Sequence, residues 1–184
     1  MLVSLVILAL LALYIIFVFN DLVKNRQQVK EAWSTIETQL KRRYDLIPNL
    51  VETVKGYTSH ESGTLEKVIE ARADAMKQTG VKEKGKAEEG LTGVLKSIFA
   101  LSESYPDLKA NTVFLSLQQE LSDTETKIQA SRQFYNTVVM SLNSKIEMFP
   151  SNILANMFHF DKADFFELSA EEAKAAQQAP KVKF

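Results

Sequence analysis

The chain has no cysteine and only two histidines, four prolines and six glycines in 184 residues. Without cysteine there is no disulfide framework and no site for lipoprotein processing, and a disulfide-free chain suits either side of a membrane equally. Hydrolytic chemistry needs a nucleophile beside a base, or a metal with an open position. His60-Glu61 has no second histidine four residues on, so the zincin helix pattern is missing. His159, Asp161 and Asp164 read as solvated side chains on a surface helix rather than as a cation site. The glycines between positions 80 and 93 do not follow a strand, which excludes a phosphate-cradling loop. An excess of positive charge is also absent: 22 basic residues face 23 acidic ones. Aromatic residues do not interleave with the bases, so nucleic acid is not an expected partner. The reading is of a non-enzymatic chain with no catalytic residue, no metal site and no cofactor.

What the chain does have is a charge-free apolar run from Met1 to Phe19, MLVSLVILALLALYIIFVF, ending before Asp21. As a helix it would extend roughly 28 Å, close to the hydrocarbon thickness of a bilayer. No Lys or Arg precedes Lys24, and the only small residues in the run are Ser4, Ala9 and Ala12, so a cleaved signal peptide fits poorly. The expectation is a retained single-pass anchor in the cell (inner) membrane. Lys24, Arg26 and Lys30 follow it closely, which predicts an amino terminus outside and a cytoplasmic body.

Beyond Asn20, strand-type alternation is missing and apolar residues recur every three or four positions. One stripe is Val29, Trp33, Ile36, Leu40, Tyr44, Ile47, Val51 and Val54. A second is Phe114, Leu117, Leu121, Thr124, Ile128, Ser131, Tyr135, Val138, Leu142, Ile146 and Phe149. Each supports a helix of roughly 38 residues, about 57 Å long, so long-bundle or coiled-coil packing with the two stripes face to face and antiparallel is predicted. Trp33, about 21 Å past the anchor on a straight helix, is placed in the core by its stripe. Pro48 lies inside the first stripe and predicts a kink rather than a break, because the stripe stays in phase across it.

Between the long helices, Ser62-Gly63-Thr64 opens a helix with Leu65, Val68, Ile69, Arg72 and Met76 on its inner side. Another runs from Leu91 toward Tyr105 and stops before Pro106. The connection TGVKEKGKAEEGLTG, Thr79 to Gly93, reads as a solvated loop at the bundle tip, with Lys82, Lys84 and Lys86 offset by Glu83, Glu88 and Glu89. The expected class is therefore all-α: one transmembrane helix (1–19), a long antiparallel helical bundle of four-helix type (20–150), and an amphipathic segment with a tail (151–184).

Ala32 to Tyr57, AWSTIETQLKRRYDLIPNLVETVKGY, carries Trp33, Gln39, Leu40, Lys41, Arg42, Arg43, Asp45, Leu46, Ile47, Pro48, Asn49, Leu50 and Val51. A second block holds Tyr105, Pro106, Asp107, Leu108, Lys109, Ala110, Asn111, Phe114, Leu117, Gln118, Glu120 and Leu121. A third has Ile128, Ala130, Arg132, Tyr135, Asn136, Phe149 and Pro150. With the anchor, these motifs resemble the LemA family over most of the chain up to about Phe166. The resemblance implies an antiparallel helical bundle behind one membrane helix with its amino terminus outside. It implies no established activity. The frequent occurrence of family genes beside membrane metalloprotease genes suggests membrane or envelope maintenance.

Two surfaces are candidates for interaction. Lys41, Arg42 and Arg43 form the densest basic cluster, although Glu37 four residues earlier and nearby Asp45 make a charged helix flank the simpler reading. Arg42 would stand roughly 35 Å beyond the anchor, too far to reach its own leaflet. After Pro150, Phe158, Phe160, Phe165 and Phe166 either cap the bundle or form an apolar patch for a partner subunit or a membrane surface. The terminal AEEAKAAQQAPKVKF should fray in a monomer. The expected partners are the lipid bilayer and further copies of the chain in a scaffold. An adaptor that recruits a membrane protease or another membrane protein is the alternative.

Overall fold

In the computed structural model the described residues are 1–58 and 61–166. Six helices, and no strand, occur among them: α1 Leu2–Lys55, α2 Ser62–Lys77, α3 Val81–Ser102, α4 Pro106–Lys109, α5 Thr112–Glu147 and α6 Ser151–Met157. The all-α class is the one the spacing predicts. α1 passes through Pro48 without interruption. α2 begins at the Ser62 start, and Pro106 opens α4 from its first turn, where its missing N–H leaves no helical bond unmade. Asn111 starts α5 by accepting the Phe114 N–H on its side-chain oxygen at 2.9 Å. The chain divides into two compact units, the first Met1–Glu37 with Ala130–Phe165, the second Thr38–Gln129 with Phe166.

In the first unit α1 and α5 run antiparallel. Asp21 pairs with Lys145 at 2.5 Å, Ser141 donates to Asn25 at 3.1 Å, and the Trp33 and Tyr135 rings lie 5.5 Å apart. Partners thus move down α5 as α1 is followed upward. Asn25 is buried but satisfied, since its amide also donates to the Asp21 carbonyl at 2.7 Å. Trp33 is half-buried against Tyr135 rather than enclosed. Val139, not Val138, takes the buried place on α5, and Phe149 lies beyond the helix end, 79% exposed. The stripe read from spacing misses at Val138 and Phe149 and holds at Leu142 and Ile146, which are buried.

α6 stops in a two-bond cap: the His159 N–H donates to Asn156 O and the Phe160 N–H to Ala155 O, with His159 in the left-handed region at φ 54°. The chain then returns along α5. Asn143 grips both backbone groups of Ala163, and the Tyr135 hydroxyl donates to Asp164 O at 2.9 Å. His159 thus occupies the turn position after a helix. Among the described residues no three His, Asp or Glu side chains converge. His60 lies outside them.

The second unit is a four-helix bundle in which α2 folds back along the end of α1. Ile36 and Val29 are buried in the first unit, and Leu40, Tyr44, Ile47, Val51 and Val54 in the second, so the α1 stripe faces inward except at half-buried Trp33. α2 buries Leu65, Val68 and Ala75, whereas Ile69 and Met76, expected inside, are each 50% exposed. The largest departure is Thr79 to Gly93. Expected as a loop, most of it forms the first half of α3. Its buried side chains are Lys84, Glu88, Leu91, Leu95, Ile98 and Ser102, steps of four, three, four, three and four. That is a helical stripe whose first two members are charged. A stripe sought among apolar residues alone begins too late.

A buried ionic cluster as the candidate functional site

Arg43 stands on α1 facing α3 and α5, and its guanidinium side chain is 4% exposed. It meets Glu88 of α3 at 3.4 Å and Glu125 of α5 at 3.0 Å, and donates to the Thr92 hydroxyl at 2.6 Å. The neighbouring Tyr44 hydroxyl donates to the other Glu88 oxygen. Arg72 of α2 donates to the Tyr44 carbonyl at 2.8 Å, bringing in the fourth helix. Lys84 donates to Ala75 O at 3.0 Å, one of the last-turn carbonyls of α2 that has no helical partner. A cation there also opposes the negative end of the α2 dipole. The Lys84 ammonium lies 5.9 Å from the Tyr44 ring centre. Every helix of the bundle that runs through this layer contributes a polar group to it.

Burial shapes the titration of these groups. The Glu88 carboxyl is pushed above its ordinary range chiefly by desolvation, against the Tyr44 hydrogen bond and the charges of Arg43 and Lys84, while Glu125 adds to the rise. The Tyr44 phenol is pushed up as well, first by burial and then by Glu88. Both groups are thereby driven toward their neutral forms, the reverse of what activates a nucleophile. Because the folded chain holds the Glu88 proton more tightly than the unfolded chain, its contribution to stability is full below the ordinary carboxyl pKa. It is lost as pH rises through the raised value. Urea melts across the acidic-to-neutral range should show that falling slope, and Glu88→Gln should remove it; an unchanged slope would place its origin elsewhere.

Beside the cluster, α3 and α5 border a groove of about 400 Å³ in which Arg43, Thr92 and Glu125 meet Leu95, Phe99 and Leu121. The charges at its floor are already paired with one another. The cluster thus links three helices through opposite charges, with Arg43 and Glu88 almost fully buried and Glu125 partly exposed.

The sequence-derived candidates fall into two groups. Lys41 is exposed and pairs with Asp45 at 2.7 Å, not with Glu37, and Arg42 pairs with Glu120 at 3.6 Å. Arg43 belongs to the interior, which removes it from the basic surface cluster. Phe160 and Phe166 are also internal, at 6% and 1% exposure, whereas Phe158 and Phe165 remain at 43% and 40%. Glu88, Glu125, Thr92 and Lys84 were missed, although the stripe through positions 84 and 88 was available to find two of them.

Fold and site together define a class: an all-α protein with a long apolar amino-terminal helix and a bundle closed by internal ion pairs. The sequence profile of the LemA family matches residues 32–184, and the chain belongs to the LemA family. Protein LemA of Metamycoplasma hominis is 30% identical over 83% of this chain and 70% of its own length. Two proteins of Paramagnetospirillum magneticum, Magnetosome protein MamQ 1 and MamQ 2, are each 23% identical over 81% of this chain. The chain spans 64% of the length of these two.

Proposed function

We propose that this protein is a membrane-anchored, non-enzymatic helical scaffold that self-assembles and serves envelope maintenance. The observation that carries the reading is the first third of α1. Leu2 to Phe17 is apolar apart from Ser4, almost wholly exposed, and long enough to cross a membrane. A helix buried in a soluble core would have these side chains covered, and here the hydrocarbon of a bilayer is the medium that suits them. The basic residues Lys24, Arg26 and Lys30 support a cytoplasmic body and an external amino terminus. The buried cluster, whose charges are already paired with one another, supports a structural role for the bundle interior.

For self-assembly the supporting features are exposed apolar side chains on the bodies of the helices. Ile69 and Met76 lie seven residues apart on one face of α2, and Phe134 and Met140 are 58% and 57% exposed on α5. Sizing of the detergent-extracted full chain should give a mass above one copy plus detergent; a monomer at all concentrations would count against the scaffold. Exposed Lys41, Arg42, Phe158 and Phe165 favour the second reading, an adaptor. Crosslinking in native membranes separates the two: self-contacts support the scaffold, and one dominant foreign protein supports the adaptor.

A further inference from the structure

The end of the apolar run is tied to the far end of the first unit. Phe19 packs edge-on against Phe158 at 4.9 Å between ring centres and against Phe160 at 5.9 Å. The Arg26 guanidinium covers the Phe160 ring at 4.9 Å, and Asp21 holds Lys145 in the last turn of α5. These contacts place α6 at the level where α1 passes from apolar to charged residues. α6 has two unlike faces. Leu154 and Ala155 are buried at 5% and 0%, and Phe160 just after the helix at 6%. Ile153 and Met157, spaced by four on α6, are 54% and 61% exposed, and Phe149 in the turn before the helix is 79% exposed. Met148 at 61% and Phe158 at 43% flank that line. Half-exposed Phe158 joins this patch to Phe19, just past the stretch of α1 where Leu13 is 63%, Ile16 56% and Phe17 69% exposed.

We infer that α6 and the turn before it are a second membrane contact, inserting Phe149, Ile153 and Met157 into the headgroup–acyl boundary of the bilayer that α1 crosses. The occupant of this face is phospholipid, because Phe158 at its edge packs on Phe19 at the end of the apolar run that the anchor reading places in the bilayer. An apolar face at that depth lies in the interface plane while its polar side stays wet, as monotopic helices do. Asn156 and His159, both exposed, supply polar groups beside it. Two contacts, one spanning and one lying flat, would seat the first unit directly on the membrane and fix the rotation of α1 where it emerges. The inference rests on the anchor reading above and adds to it a site the anchor does not require.

The absence of native cysteine makes the test direct. Single variants Ile153→Cys, Met157→Cys, Asn156→Cys, Gln133→Cys and Leu10→Cys, each exposed in the structure, are labelled with an environment-sensitive fluorophore. The full chain is then reconstituted in phosphatidylcholine–phosphatidylglycerol vesicles carrying spin-labelled lipid quenchers, and circular dichroism confirms helicity. Labels at positions 153 and 157 should be quenched at least about twofold more than those at 156 and 133, as expected for insertion a few ångströms deep. Quenching at position 10 checks the anchor separately. If position 10 is quenched while 153 and 157 match 133, the α6 contact is overturned and the anchor stands. If position 10 is not quenched, both fail. If labels at 153 and 157 escape quenching and the same variants, left unlabelled, form disulfides between copies under oxidation, the face is an interface between copies and the inference is overturned.

Discussion

Replacing Arg43 with alanine is expected to lower the stability of the second unit by about 3–5 kcal/mol, the usual result of removing one partner from a buried ionic group. Arg43 lies within ion-pair distance of both Glu88 and Glu125. Its loss leaves two carboxylates facing each other, one of them almost wholly buried, and strips the Thr92 hydroxyl of a donor. Denaturant melts followed by helical circular dichroism measure the loss. The pair Arg43→Ala with Glu88→Ala should be less harmful than the sum of the single changes, because it removes the charge that the first change strands. Simple additivity would show that Arg43 acts through packing and not through the ion pair. Exposed Lys41, whose partner Asp45 is also exposed, serves as the contrast: Lys41→Ala should change stability by less than about 1 kcal/mol.

The second large effect concerns the anchor. Leu8 and Leu11 are 61% and 53% exposed, so arginine at both positions removes little packing within the protein. Each arginine near the centre of a membrane helix is unfavourable by about 2.5–3.5 kcal/mol on insertion scales. The double variant should therefore shift partition toward water by about four orders of magnitude. Fractionation after an alkaline wash should find the wild-type chain in the pellet and the variant in the supernatant. A variant that stays in the pellet would mean that the apolar run is not what holds the protein to membranes.

Legibility along the chain followed a simple physical line. Where a helix buries apolar side chains, spacing located its inner face: Ile36, Leu40, Ile47 and Val54 on α1 and Phe114, Leu121, Ile128 and Leu142 on α5 are all buried. The antiparallel pairing of these helices followed from the need to cover two stripes at once. Errors arose where a helix turned by a fraction of a residue, as at Val138 and Val139, since 3.6 residues per turn drifts against any fixed repeat. They also arose at Ile69 and Met76, where an apolar residue sits on a half-exposed face of α2.

The charged half of α3 is the instructive miss. Thr79 to Gly93 contains glycine, lysine and glutamate in a pattern that normally marks a solvated connection. It becomes helix because Lys84 finds the open carbonyl end of α2 and Glu88 finds Arg43 and Tyr44. Likewise nothing local to Arg43 distinguishes it from Lys41 and Arg42 except its place one residue before Tyr44 on the buried side.

Sequence by itself determined the apolar leading helix, the helical class, the inner faces of α1 and α5 and membership of the LemA family. These depend on transfer of apolar side chains out of water, a property each residue carries with it. Tertiary structure alone decided which charges go inside, how α6 presents Phe149, Ile153 and Met157, and how Asn143 and Tyr135 hold the returning chain. A buried charge is tolerable only with an opposite charge or hydrogen bond beside it. For Arg43 those partners come from positions 88, 92 and 125, which only the folded chain brings within reach.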